Sequence, residues 1–357
     1  MDNRKELFLH IGTGKTGTTA LQEFFFSNRK KLSEFDIHYP EIGVQSCAHH
    51  LLSPHIPPFL KDRWTFIDPS IWAEEIFRMR GSRFLISSEI ISSLPGNKVE
   101  CFVSALRKFF DTKVIVYVRP QDEVFVAAYN QQVKAGTQLN SLSIMLKKQA
   151  VRFDYDRLLE PWAAALGREN IIVRRYGTSY FYRNDLRRDF LKSVFDLDSD
   201  KFDFPVGESN PRLCFAALNY KLLINNVFAT IDERNEFNEV LLKFSLEQGG
   251  GQWGGIDGAM RELILGHYSK SNNAVVCKYF SPSRDALFKS REGNTAPAHD
   301  LLKPVKQNDI DRVADFIKKD SPVLYDCLSQ AVRNVFCNNM FWAYNEAVLL
   351  RTSIERT

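Results

Sequence analysis

Short apolar runs alternate with amphipathic stretches through the first part of the chain. Leu7–Ile11 is apolar but for His10, which suits a buried strand. Phe84–Ser87, the β-branched run Lys113–Val118, and Ile171–Tyr176 repeat the pattern. Between them, Val99, Phe102, Val103, Leu106, Phe109 and Phe110 recur at three- and four-residue steps, marking one face of a helix. Ala20–Lys31 has helical character. Asp122 is placed to N-cap a helix running to about Lys134. Tyr155–Leu166 is helical and closed by Gly167, and Asn184 or Asp185 starts a helix through about Phe195. Strands alternating with helices predict an α/β fold around a mostly parallel sheet flanked by helices.

Residues 33–80 are less regular, broken by Pro40, Pro54, Pro57, Pro58 and Pro69 into loops and short helices. After about Pro211 the pattern turns helical, with candidates at 213–228, 233–247, 258–271, 309–319 and 321–350. Gly249–Gly255 is a flexible break and 281–304 a long polar loop. No stretch of disordered composition separates the two parts. A single domain over 1–357 is expected, with an α/β nucleotide-binding core (1–212) and a helical C-terminal layer (213–357).

Composition adds little to that picture. The 28 phenylalanines point to an aromatic-rich core, and a net charge of +4 is too small to argue for nucleic acid. The cysteines are scattered without metal-ligand spacing, so no metal site is expected. No signal-peptide pattern precedes the first strand, and no apolar run reaches about 18 residues, the length of a membrane span. A cytoplasmic chain without an integral membrane segment is the expectation.

The candidate chemistry lies in residues 7–22. Gly12, Gly14 and Gly17 make a tight loop after the first strand, and Thr18 and Thr19 open the next helix. Such a loop brings backbone N–H groups and a helix dipole to a phosphate or sulfate. An ATP or GTP loop of the Walker type needs lysine directly after the last glycine, but Thr18 follows Gly17 and Lys15 precedes it. The glycines match the dinucleotide spacing, without a convincing ribose-binding acid downstream.

Gly14-Lys-Thr-Gly-Thr-Thr19 resembles the phosphosulfate loop of the P-loop sulfotransferases that use 3′-phosphoadenosine 5′-phosphosulfate (PAPS), whose pattern is Lys-[Ser/Thr/Gly]-Gly-Thr-[Thr/Ser]. Val114–Arg119 is similar to their second signature, where an arginine ends a strand and a serine follows eight residues later. Here that position is Ala127. Tyr155-Asp-Arg-Leu-Leu159 and Gly167-Arg-Glu-Asn-Ile171 resemble segments of the bacterial carbohydrate-type members. The resemblance implies a PAPS-dependent sulfotransferase fold and activity, with adenosine 3′,5′-bisphosphate as product and a glycan or glycolipid hydroxyl as acceptor. Lys15 would stabilise the leaving phosphate oxygen. Gly14, Lys15, Thr16, Gly17, Thr18 and Thr19 would hold the 5′-phosphate, Arg119 and the Ala127 region the 3′-phosphate, and Tyr176 would lie near the adenine.

The acceptor hydroxyl needs a base. His49 and His50 have the right titration range, and Glu89, at a strand's carboxyl end, is the rival. Ser88, Tyr129, Gln132 and Lys134 are candidates to face the acceptor. Arg187, Arg188 and Lys192 fit a solvated helix face equally well. Two other functions stay open on the residues alone. One is a P-loop kinase or NTPase, which would need an acid where Arg119 ends its strand. The other is an inactive nucleotide-binding homologue, which Ala127 encourages.

Overall fold

The computed structural model describes residues 4–55, 64–149, 153–204, 212–248, 254–280, 285–289, 297, 299–337 and 344–356. Strands are β1 (Lys5–His10), β2 (Ile37–His38), β3 (Arg83–Ser87), β4 (Phe110–Val118) and β5 (Ile171–Arg175). Helices of the first half are α1 (Thr18–Ser27), α2 (Arg29–Glu34), α3 (Pro69–Arg78), α4 (Gly96–Arg107), α5 (Gln121–Lys134), α6 (Leu142–Gln149) and α7 (Tyr155–Leu166). Then come α8 (Leu186–Phe195), α9 (Phe215–Val227), α10 (Ile231–Asn235), α11 (Asn238–Glu247), α12 (Gly258–His267), α13 (Ser269–Tyr279), α14 (Gln307–Asp320), α15 (Pro322–Cys337) and α16 (Tyr344–Arg356). Two compact units emerge. One comprises 1–121, 153–209 and 266–290, the other 122–152, 210–265 and 291–357.

The first unit is built on a five-stranded sheet in the order β2-β3-β1-β4-β5, with every described pairing parallel. Because side chains alternate along a strand, β1 serves both faces. Leu7 and Leu9, with Ile11 beyond them, pack with Trp72, Phe102, Val103, Tyr155 and Trp162 of α3, α4 and α7. Phe8 packs on the other face with Phe24, Phe25, Phe190 and Phe195 of α1 and α8. This second layer accounts for much of the phenylalanine content. Each fully buried ring contributes about 1.5–3 kcal/mol of apolar burial. Helices on both faces leave the strands continuously apolar, which is why they were visible as runs.

Several boundaries differ from the sequence pattern. The helix-like spacing ending at Phe109 and Phe110 overshoots, since α4 stops at Arg107 and Phe110 opens β4. Ala20–Lys31 divides into α1 and α2 at Asn28. The helix expected from Asp122 starts at Gln121. The 233–247 stretch splits into α10, which a capping box of Thr230 and Glu233 starts earlier than expected, and α11. The 258–271 stretch splits into α12 and α13. Of the expected 249–255 break, residues 249–253 lie outside the described residues, as do 338–343 of the 321–350 helix candidate and 281–284, 290–296 and 298 of the 281–304 loop.

The second unit is helical. Helix α9 is mostly buried, and α10, α11, α14, α15 and α16 pack against it. Its Asn225 amide donates to the Val133 and Gln138 carbonyls, at 2.8 and 3.1 Å, satisfying groups at and beyond the C-terminus of α5. Lys221 is buried on the same helix and donates to the Arg234 carbonyl. Burial, with Arg234 nearby, pushes its ammonium pKa down to about 7.

One buried charge cluster ties β4, β5 and α8 together. The fully buried Asp189 carboxylate accepts from Tyr117 Oη at 2.8 Å, from Arg174 Nη2 at 2.6 Å and Nε at 3.2 Å, and from the Tyr182 amide at 3.0 Å. Breaking such a pair from one side strands the other charge. Asp189→Ala should therefore lower unfolding stability by about 3–5 kcal/mol, and Tyr117→Phe by about 1 kcal/mol. Urea unfolding of the two variants checks the order. Equal losses would remove Asp189 from the centre of the cluster.

Candidate functional site

The carboxyl ends of β1, β3, β4 and β5 converge on the glycine loop. Ligands of open α/β sheets sit at such ends. The β1–β3 and β1–β4 ladders run on past the strands, as Ser88 N donates to His10 O at 3.0 Å and Ile11 N to Ile115 O at 3.1 Å. These bonds place Gly12 beside Glu89. A Cβ on Gly12 would come within 3.3 Å of the Glu89 Cβ and 2.5 Å of Thr18 Cγ2.

The loop's shape comes from left-handed residues. Lys15 and Gly17 both have φ of 72°, and Gly17 N-caps α1 without any side-chain cap. For lysine that conformation is strained by about 1–2 kcal/mol. Arg119 Nη1 holds it, donating to the Lys15 carbonyl at 2.9 Å. Thr16 Oγ1 donates to Thr13 O at 2.6 Å, and Thr13 Oγ1 to Tyr117 O at 2.7 Å, tying the loop to β4. No acidic residue occupies the first turn of α1, so no carboxylate of that turn meets the positive end of its dipole. Gly14 and Thr19 are exposed, while Thr16 and Thr18 are buried.

Arg119 is itself held at its backbone. Its N–H donates to Tyr155 Oη at 3.2 Å, and that hydroxyl donates to the Arg119 carbonyl at 2.6 Å. Its guanidinium lies 5.0 Å from the centre of the Tyr176 ring. Tyr176 in turn presses on Gly17, where a Cβ would meet Leu186 Cδ2 at 2.4 Å and Tyr176 Cε2 at 3.3 Å. Lys15, Gly17, Arg119 and Tyr176 thus form one side of the site.

The other side gathers around His50. Its Nδ1 is 3.0 Å from Ser88 Oγ, its Nε2 is 3.8 Å from Glu89 Oε1, and its ring stacks on Trp64 at 12° and 5.4 Å. Burial lowers the His50 pKa, and the Glu89 carboxylate partly opposes that. A neutral, half-buried imidazole beside a carboxylate can take up a proton.

His49 is placed differently. It is fully buried, its Nδ1 accepts from the Ser87 amide at 3.2 Å, and its Nε2 bonds the Pro40 carbonyl at 2.8 Å. With both nitrogens engaged it braces the chain and cannot reach a substrate. Burial takes its pKa down to about 4, and takes that of His10, bonded to Ser87 Oγ at 2.8 Å, to about 3.

Ala127, Tyr129, Gln132 and Lys134 all lie on α5, within the second unit. Ala127 is half-buried. Tyr129 is buried, which pushes its phenol pKa up. The Gln132 carbonyl accepts from the Thr137 and Gln138 amides. Burial lowers the Lys134 pKa. Arg187 and Arg188 pair with Asp185 and Asp200, and Lys192 with Asp196, so these bases serve α8 and its flanks. Two site residues were not singled out by sequence. Gln22 is a buried polar residue among Leu21, Phe24 and Phe25, and Trp64 lies within the proline-rich 33–80 part of the sequence.

Among the described residues, no group of three or more His, Cys, Asp or Glu is arranged to hold a metal, and no helix is long and apolar enough to cross a membrane. No family model and no curated protein matches the sequence. Among solved structures, the chain is similar to a sulfotransferase from Alicyclobacillus acidocaldarius. The TM-score is 0.42 at 17% identity, over 67% of this chain and 96% of that one.

Two outcomes are expected. Gly17→Ala forces a left-handed alanine against Leu186 and should destabilise the protein by about 1–3 kcal/mol. Gly14→Ala, where a Cβ meets nothing within 4 Å, should melt like the parent. Equal thermal shifts would refute the loop geometry. Separately, His10 and His49 are neutral when folded, whereas unfolded histidine titrates near about 6.5. Their contribution to stability is complete above that pH and is lost as pH falls toward about 4 and about 3. The stability gap between the parent and His10→Gln, read by urea midpoints, should therefore narrow between about pH 7 and about pH 5.

Proposed function

We propose that this chain transfers a sulfuryl group from PAPS to a hydroxyl, on a glycan or glycolipid. The observation that carries the proposal is the Arg119–Lys15 contact. It closes a loop whose lysine precedes its last glycine. It also sets a guanidinium at the end of β4, where magnesium-dependent phosphoryl transfer calls for a carboxylate. A sulfuryl group carries less charge than a phosphoryl group, so backbone amides and one lysine suffice to stabilise its displacement.

In this proposal the amides of residues 14–19 bind the 5′-phosphate, with Lys15 Nζ at the leaving oxygen. Arg119, stacked on Tyr176, meets the nucleotide's far phosphate with a planar fork of donors. The bound donor supplies the activated sulfuryl group. His50 donates from Nδ1 to Ser88 Oγ and takes the acceptor's proton at Nε2. Glu89 Oε1 stabilises the imidazolium so formed. Trp64, flat against His50, offers an aromatic face of the kind that sugar C–H faces pack on.

The test pairs binding with transfer. Adenosine 3′,5′-bisphosphate should raise the melting temperature and ATP–Mg²⁺ should not. Labelled sulfate from PAPS should reach an oligosaccharide or glycolipid within a panel that also holds phenols. Lys15→Ala should cut turnover by about 10²-fold or more without loss of folding. His50→Ala should lower kcat by about 10²–10⁴-fold with donor affinity nearly unchanged. If Glu89→Gln does this and His50→Ala does not, the base is Glu89. Stabilisation by ATP–Mg²⁺ alone would favour a kinase. Bisphosphate binding without transfer to any acceptor class would favour an inactive homologue.

A further inference from the structure

We propose that Gln22 is a positioning residue whose side-chain amide fixes the Glu89 carboxylate, so that the glycine-loop helix sets the geometry of His50. This rests on the reading of His50 as the base. Gln22 sits one turn after the buried Thr18 on α1 and is itself almost fully buried beside Leu21, Phe24 and Phe25. A buried amide on an apolar face is retained at a cost unless it is bonded. This one donates from Nε2 to Glu89 Oε2 at 2.8 Å. The bond commits one carboxylate oxygen and leaves Oε1 on the His50 side, 3.8 Å from Nε2. Gly12 closes from below, with room for no side chain between the loop and Glu89.

His49 and Tyr39 are titratable neighbours of the pair. They feel His50 and Glu89 respectively, but burial holds His49 neutral, and it holds the Tyr39 phenol protonated. Among the described residues, Ser88 and Trp64 also meet His50, and neither carries a charge. The carboxylate held by Gln22 thus acts on the imidazole against the effect of burial. Without the amide, a one-third exposed carboxylate is drawn toward water and away from the ring.

The experiment is an NMR titration of the His50 imidazole in the full-length protein, with kcat followed over the same pH range. Gln22→Met keeps the volume and removes the donor. It should move the His50 midpoint downward by about 0.5 in pH, in the direction of Glu89→Gln. The double variant should match Glu89→Gln alone. The acid limb of kcat should follow, with kcat about 10-fold lower and donor KM unchanged. An unmoved midpoint, or effects of the two substitutions that add in full, would overturn the proposal. If the midpoint moves but the kcat limb does not, Gln22 positions Glu89 as proposed and the base assignment is the part that fails. Gln22→Glu guards against misfolding of the first variant. It keeps the bond only while one of the two carboxyls is protonated, so its kcat relative to the parent should fall as pH rises, and a flat ratio would count against the proposal.

Discussion

The site depends on the central position of β1. With parallel partners on both edges, its ladders continue one residue past the strand, through Ser88 N to His10 O and Ile11 N to Ile115 O. Those two bonds decide where the glycine loop leaves the sheet. They also decide which neighbours it meets, Glu89 on one side and Arg119 on the other. Neither neighbour is close in sequence. Both are delivered by register, and a slip of one residue would turn every side chain of β1 to the wrong face.

Around that frame, strain and charge are matched. Lys15 is held in a conformation lysine avoids, and the group that holds it, Arg119, is also a candidate ligand for an anion. The same economy recurs behind the site. Ser87 lends its backbone amide and carbonyl to His49 and its hydroxyl to His10, while Ser88 faces His50. Two buried, neutral histidines thereby brace the strand end from which Glu89 emerges. Both stay neutral in the folded state at neutral pH.

Much of this was legible in the chain, for identifiable reasons. Strands buried on both faces show as apolar runs, and the loop shows because its glycines, lysine and threonines are adjacent. Arg119 was legible because it ends such a run. What was hidden depends on contacts distant in sequence. Strand β2, Ile37–His38, is too short to carry a period. The distinction between His49 and His50 rests on the Pro40 carbonyl and on Ser87 and Ser88, which no local pattern announces. Gln22 left a faint signal, a polar residue on an apolar face, that acquires meaning only once Glu89 is beside it. Phe109 and Phe110 misled because apolar spacing continues across the turn from α4 into β4.

The sheet-bearing unit is assembled from three separated lengths of chain, the last of them residues 266–290. Helix α13 in that last length bonds Asn272 to Gln121, Ser271 to Asp154, and Lys278 to Asp156 and Glu160. During synthesis on a ribosome, the strands and the glycine loop emerge long before this helix does. The exposed flank of α7 must then wait for it, with its acidic residues unpaired and part of its apolar surface uncovered. The nascent chain therefore passes through an interval in which the strands and loop have been made but the unit that holds them is unfinished.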